Sequence, residues 1–175
     1  MKKRIIGAAV ALVLCAFILC GCGKEADTQK LGNNDPNHLV STAMTITDAS
    51  AKAGEKVTLD VTLSESSDLW GFSWEVNYDA AVLTPVNVEM NPMYETNFEM
   101  TVTKDANPIV LQGAGREIQN YPIVGDVAQI TFLVADNAAP GEYHVNIGCK
   151  EGNNIDVDAN DIPFTPATAT VTVTA

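Results

Sequence analysis

The sequence predicts an all-β fold, an antiparallel β-sandwich of about nine short strands within residues 40–175. Apolar and polar residues alternate with period two from Val40 onward, and turn-forming residues recur roughly every eight to twelve positions. No segment carries the apolar spacing of an amphipathic helix; Ala135 to Ala139 is alanine-rich but short, and Pro140 ends it.

Thr42 to Thr47 is the first expected strand, closed by Asp48 and a turn at Lys52-Ala53-Gly54. Val57 to Leu63 alternates without a break, which puts Val57, Leu59, Val61 and Leu63 on the core face. After a polar turn from Ser64 to Asp68, the strand Gly71 to Tyr78 should point Phe72, Trp74, Val76 and Tyr78 inward. Val82 to Glu89, bent at Pro85, and Phe98 to Thr103 follow. Ile109 to Gln112 is short and breaks at Gly113-Ala114-Gly115, which reads as a bulge or turn. Val127 to Ala135 is the longest run, with Ile130, Phe132 and Val134 on one face. Past the Pro140-Gly141 turn, Tyr143, Val145 and Ile147 alternate with His144 and Asn146. A loop from Lys150 to Pro163 precedes the closing strand, Thr168 to Thr174.

The N-terminus reads as an export signal. Lys2, Lys3 and Arg4 precede an apolar run from Ile5 to Leu19, shorter than the ~20 residues a spanning helix needs. The run closes on Leu19-Cys20-Gly21-Cys22, which resembles the lipobox at which bacterial lipoprotein signal peptidase cleaves. Cys22 is the expected lipidation site; Phe17-Ile18-Leu19 sets bulky residues before Cys20 and disfavours it as acceptor. Residues 1–21 are then a signal peptide, residues 22–39 a lipidated cysteine with a flexible linker, and residues 40–175 one domain on the extracytoplasmic face of the cell membrane. The seventeen residues from Gly23 to Leu39 reach ~58 Å fully extended and ~23 Å as a coil.

Without the signal, 154 residues remain, with 7 Lys and Arg against 22 Asp and Glu. A surface of net charge −15 excludes nucleic acid as a partner, because phosphate binding requires basic side chains. Cys149 is the one cysteine left unmodified, and it reads as a small residue at a strand end. No intramolecular disulfide can form, so the core alone must hold the fold.

Several features recur together in one family. Gly54-Glu55-Lys56-Val57 opens a strand, and Gly71-Phe72 runs to Tyr78-Asp79 just before Val82-Leu83. Gly125-Asp126-Val127 to Phe132 and Ala139-Pro140-Gly141-Glu142-Tyr143 come next. In this order the chain resembles a cohesin module from about Val40 to Ala175. The resemblance implies a nine-stranded jelly-roll that binds a dockerin, a calcium-loaded helical module of another protein, through the outward side of one sheet. In cellulosomes that contact gathers polysaccharide-degrading enzymes. The matching outward positions here are Gly71, Ser73, Glu75 and Asn77 on one strand, Val110, Gln112 and Ala114 on a neighbour, and His144 and Asn146 on another. Type I cohesins place an Asn and an Asp where this chain has Gly71 and Ser73, so their dockerin specificity does not carry over.

Catalytic patterns are absent from the sequence, and a non-enzymatic role is expected. His38 and His144 have no evident third partner for a triad or metal site, and no Gly-x-Ser-x-Gly elbow occurs. Gly113-Ala114-Gly115 lacks the later glycine of a dinucleotide loop. Asp156, Asp158 and Asn160 fall at positions 1, 3 and 5 of an EF-hand-like loop, but Asp161 replaces its glycine and Ala167 its bidentate Glu. An EF-hand is excluded; a solvated acidic turn is the first reading, and a weak Ca²⁺ site the second. The alternative to protein docking is a carbohydrate-binding or adhesive lipoprotein, with aromatics near Trp70 or Tyr94 meeting polysaccharide.

Overall fold

The computed structural model describes residues 41–175, with residues 64–67 by backbone alone. The signal sequence, Cys22 and the linker lie outside the described residues.

Two sheets face each other over an apolar core. In chain order the strands are β1 (Thr42–Ile46), β2 (Ala49–Lys52), β3 (Lys56–Leu69), β4 (Gly71–Asn77), β5 (Leu83–Met90), β6 (Phe98–Thr103), β7 (Ile109–Gly115), β8 (Tyr121–Val134), β9 (Gly141–Ile155), β10 (Phe164–Thr165) and β11 (Ala167–Thr174). One sheet has the order β10-β1-β3-β8-β5 and the other β2-β11-β9-β4-β7-β6. Neighbours pair antiparallel except β1 with β10 and β2 with β11. One 3-10 helix, Pro92–Thr96, joins β5 to β6 and starts with the Asn91 side chain accepting from the Met93 N–H.

Alternation places the core as expected. Leu59, Val61, Trp74, Val76, Ile130, Phe132, Val134, Val145 and Ile147 have no exposed surface. Phe72 stacks on Trp74 with ring centroids 4.0 Å apart and leans on Phe98 at 5.7 Å. Tyr78, at the strand end, is half-buried against Phe132.

Four expectations need correction. The polar stretch Ser64 to Asp68 is not a turn: β3 runs through it and pairs with β8 up to Tyr121, taking up extra residues as irregularities between Leu63 and Ser67. Gly113-Ala114-Gly115 does not end its strand, because β7 keeps regular register with both β4 and β6 there. The glycines make room instead: a Cβ on Gly113 would lie 2.3 Å from the Phe72 ring, and one on Gly115 2.7 Å from Trp70. Lys150 to Ile155 belongs to β9 rather than to a loop. Residues 49–52, where no strand was expected between Asp48 and the turn, form one that pairs with β11 at the sheet edge, and the turn follows at Ala53-Gly54 as expected.

The ring of Phe72 therefore depends on Gly113 being a glycine. Gly113→Ala should cost about 1–3 kcal/mol in denaturant unfolding through overpacking. Gly148→Ala, where an added Cβ meets nothing within 4 Å, should stay within about 0.5 kcal/mol of the parent.

Candidate functional site

β9, β4, β7 and β6 lie side by side, and their outward residues form rows across the sheet. Thr101, Gln112 and Ser73 make one row, and Thr103, Val110, Glu75 and Gly148 the next. Asn77, Asn146 and Thr168 make a third, with His144 beside Thr170 beyond it. The structure thus brings the outward positions named from sequence onto one face. Gln112, Ala114, Asn77, His144 and Asn146 are exposed, while Ser73, Glu75 and Val110 are half-buried.

Gly71 is the exception. It is buried, with the place of its Cβ 3.2 Å from the Ile155 side chain. The cause is in β9, where residues 150–153 stand opposite the single residue Ser73. This four-residue bulge returns the strand to register at Asn154 and lays Ile155 over Gly71. Gly152, with φ 76°, supplies the left-handed conformation the bulge needs, and its N–H donates to Asp161 Oδ1 at 3.0 Å.

The face is held by its own polar side chains. Gln112 Nε2 donates to Ser73 Oγ at 3.2 Å, and Thr168 Oγ1 to Asn146 Oδ1 at 2.7 Å. Lys150, raised on the bulge, forms an ion pair with Glu75. Residues 41–175 contain nineteen Asp and Glu against five Lys and Arg. Yet among Ser73, Glu75, Asn77, Val110, Gln112, Ala114 and Asn146 there is one charge, and Lys150 neutralises it. The sequence reading missed Thr101, Thr103, Thr168 and Lys150 on this face. The threonine alternation of β11 was a usable signal for Thr168; the reach of Lys150 depends on the bulge.

Cys149 is half-buried beneath the bulge and donates weakly to the Ser73 carbonyl at 3.5 Å. Burial, reinforced by Asp161 and Glu75 and opposed by the Ser73 hydrogen bond, pushes its thiol up to about 11.

Asp156, Asp158 and Asn160 are close together, but Asp156 is used to close a turn. Its Oδ1 accepts from the N–H groups of Asp158 and Asn160, both at 2.9 Å, and its Oδ2 accepts from Asn160 Nδ2 at 2.8 Å. Ala159 adopts φ 62° within the turn. Among the described residues, no three His, Cys, Asp or Glu side chains converge as a metal-binding group.

The aromatic residues do not form an open platform where the alternative reading placed one. Tyr94 is 5% exposed, and its hydroxyl donates to the Val124 carbonyl. Trp70 is half-buried, with Nε1 donating to the Glu117 carbonyl at 3.0 Å. Trp74 is in the core.

Comparison with known proteins agrees with this geometry. The cohesin domain family matches residues 42–173. A non-cellulosomal cohesin from the archaeon Archaeoglobus fulgidus superposes with a TM-score of 0.63 at 15% identity, covering 78% of this chain and 93% of that one. A cohesin from Clostridium acetobutylicum gives 0.60 at 22% identity, covering 77% and 92%. The sixth cohesin of scaffoldin B from Acetivibrio cellulolyticus, solved in complex with a dockerin, gives 0.60 at 17% identity, covering 77% and 100%. The chain has no significant match among curated protein sequences.

A thiol held near 11 is almost wholly protonated at pH 8, so its thiolate fraction is about two orders of magnitude below that of an ordinary cysteine. Thiol labelling of the folded domain should be correspondingly slow at pH 8 and accelerate as pH rises toward 11. Unfolding in urea should restore ordinary reactivity at pH 8.

Proposed function

The chain belongs to the cohesin domain family, and from that premise we propose that it is a non-catalytic, membrane-anchored docking module whose six-stranded sheet binds a dockerin-bearing partner. The observation that carries the reading is the outward face of β9, β4, β7 and β6, where Ser73, Gln112, Asn77 and Asn146 lie in continuous rows around the Glu75–Lys150 ion pair, and the exposed carboxylates of Glu99 and Glu142 stand toward the rim. A partner covering this face need desolvate no unpaired carboxylate among those central positions, which lowers the cost of burial.

Related cohesins are solved bound to dockerins, which supports this choice of partner. The polar anchors differ, however. Gly71 is covered by Ile155, so recognition falls to Ser73, Gln112, Asn77 and Asn146, together with the Lys150 bulge. The dockerin that fits should therefore complement neutral hydrogen-bonding groups rather than a central carboxylate. We further propose that Cys22 carries the lipid anchor, placing the module on the extracytoplasmic face of the membrane, and that its partners act in polysaccharide degradation.

The test is capture from the organism's secretome with the domain spanning residues 41–175, in the presence of Ca²⁺ or chelator. Capture of dockerin-bearing proteins in Ca²⁺ alone is expected, and its absence sinks the partner assignment. Ser73→Arg should weaken that binding by more than about tenfold, ~1.4 kcal/mol or more. Thr58→Arg, exposed on β3 of the other sheet, should leave it unchanged. Cys22→Ser should release the full chain from the membrane fraction.

A further inference from the structure

We propose that the end of the sandwich around the 3-10 helix rests on the lipid bilayer to which the chain is tethered. The inference builds on the reading of Cys22 as a lipid anchor.

Four large apolar side chains stand out in solvent among the described residues: Ile118 at 71% exposure, Met93 at 65%, Val124 at 49% and Leu133 at 37%. The first three surround one structural feature. Met93 is on the 3-10 helix, whose neighbour Tyr94 bonds to the Val124 carbonyl. The other flank of the helix is tied to the β7–β8 connection that carries Ile118, because the Arg116 N–H donates to the Asn97 carbonyl and Arg116 Nε to that of Glu95, both at 2.9 Å. Leu133 lies at the opposite end, paired with Lys56 and Thr84.

The chain from Cys22 enters at this same end. Thr42 opens β1, Met44 pairs with Leu63, and Leu63 pairs with Gly125 beside Val124. The entry point is thus two strands from Val124 across the sheet, about 10 Å. β11 ends at the far end, where Val173 pairs with Gly141 and Thr174 with Lys52. On the reading of Cys22 as the lipid anchor, the seventeen residues from Gly23 to Leu39 would span ~23 Å at coil dimensions, which makes the entry end the nearest part of the domain to the bilayer. The tether holds the apolar end close at high effective concentration, so a shallow insertion that would be too weak for a free protein becomes populated.

The contact is apolar rather than ionic. Glu95, Glu117 and Asp126, together with Asp156, Asp158 and Asp161 on the turn that Asn120 ties to the β7–β8 connection, outnumber Arg116 at this end, so anionic headgroups would not attract it and the contact is confined to the Met93, Ile118 and Val124 side chains. With this end down, the face of β9, β4, β7 and β6 stands sideways to the membrane and remains open.

Trp70 is a built-in reporter, because its indole bonds to the residue before Ile118. The lipidated full chain is reconstituted in phosphatidylcholine vesicles brominated near the glycerol end of the acyl chains. Trp70→Phe identifies the part of the emission that comes from Trp70. Quenching of that part is expected, and its loss in the triple variant Met93→Ser, Ile118→Ser, Val124→Ser, which should still float with the vesicles and melt at the parent temperature. Lipidated chain that floats with Trp70 unquenched overturns this inference and leaves the anchor reading intact. Cross-linking between copies that the triple variant abolishes, without quenching, overturns it in favour of a second copy as the occupant. A chain whose mass shows no diacylglycerol on Cys22 overturns the anchor reading, and this inference with it.

Discussion

The arrangement hinges on one buried amide. Asn154 is 1% exposed, and both ends of its side chain are used. Its Oδ1 accepts from Trp74 Nε1 at 3.2 Å, and its Nδ2 donates to Thr42 Oγ1 at 3.0 Å and to the Ile162 carbonyl at 2.9 Å. Trp74 belongs to the six-stranded sheet and Thr42 to the five-stranded one, so the amide links the two layers through the core. Thr42 is itself fully buried. Each of these groups would cost about 1–3 kcal/mol if left without a partner, so the set makes one layer register strongly preferred over its neighbours.

The same residue shapes the docking face. Asn154 is where β9 returns to register after residues 150–153 have bulged outward. Anchoring that point in the core forces the surplus residues to the surface, where Lys150 meets Glu75 and Ile155 closes over Gly71. The bulge thereby removes one outward position and neutralises another. Polar contacts across a face whose centre carries no unpaired charge favour selectivity by geometry over long-range electrostatic steering there. On the neighbouring strand, Gly113 and Gly115 admit the Phe72 and Trp70 rings without breaking register, so β7 stays flat beside β4.

Much of this was legible in the sequence, because a half-buried strand writes its geometry as alternation. β6 has the expected bounds, and the inward set of β4 packs as the pattern required. The failures share a cause: local composition was read where long-range pairing decides. Ser64 to Asp68 is polar enough for a turn, yet β8 supplies it a partner strand. Gly113 and Gly115 look like punctuation until the rings above them are placed. Asn154 lies in a run of polar residues, and hydropathy gives no sign that its amide is in the core. Gly71 was assigned to the face by the family resemblance and the parity of its strand, and neither registers a bulge opposite Ser73 in another part of the chain. At Asp156, Asp158 and Asn160 the oxygen spacing was legible, but not that backbone donors would claim the Asp156 carboxylate.

The central claim is that the outward side of the six-stranded sheet is the docking surface. Amide hydrogen exchange of the domain, free and saturated with a dockerin it captures, tests this most directly. Added protection should concentrate in β4, β7 and β9, strongest near Ser73, Gln112 and the Lys150 bulge, with β1, β3, β5 and β8 unchanged. Protection concentrated in the five-stranded sheet, or along its β5 edge, would contradict the account.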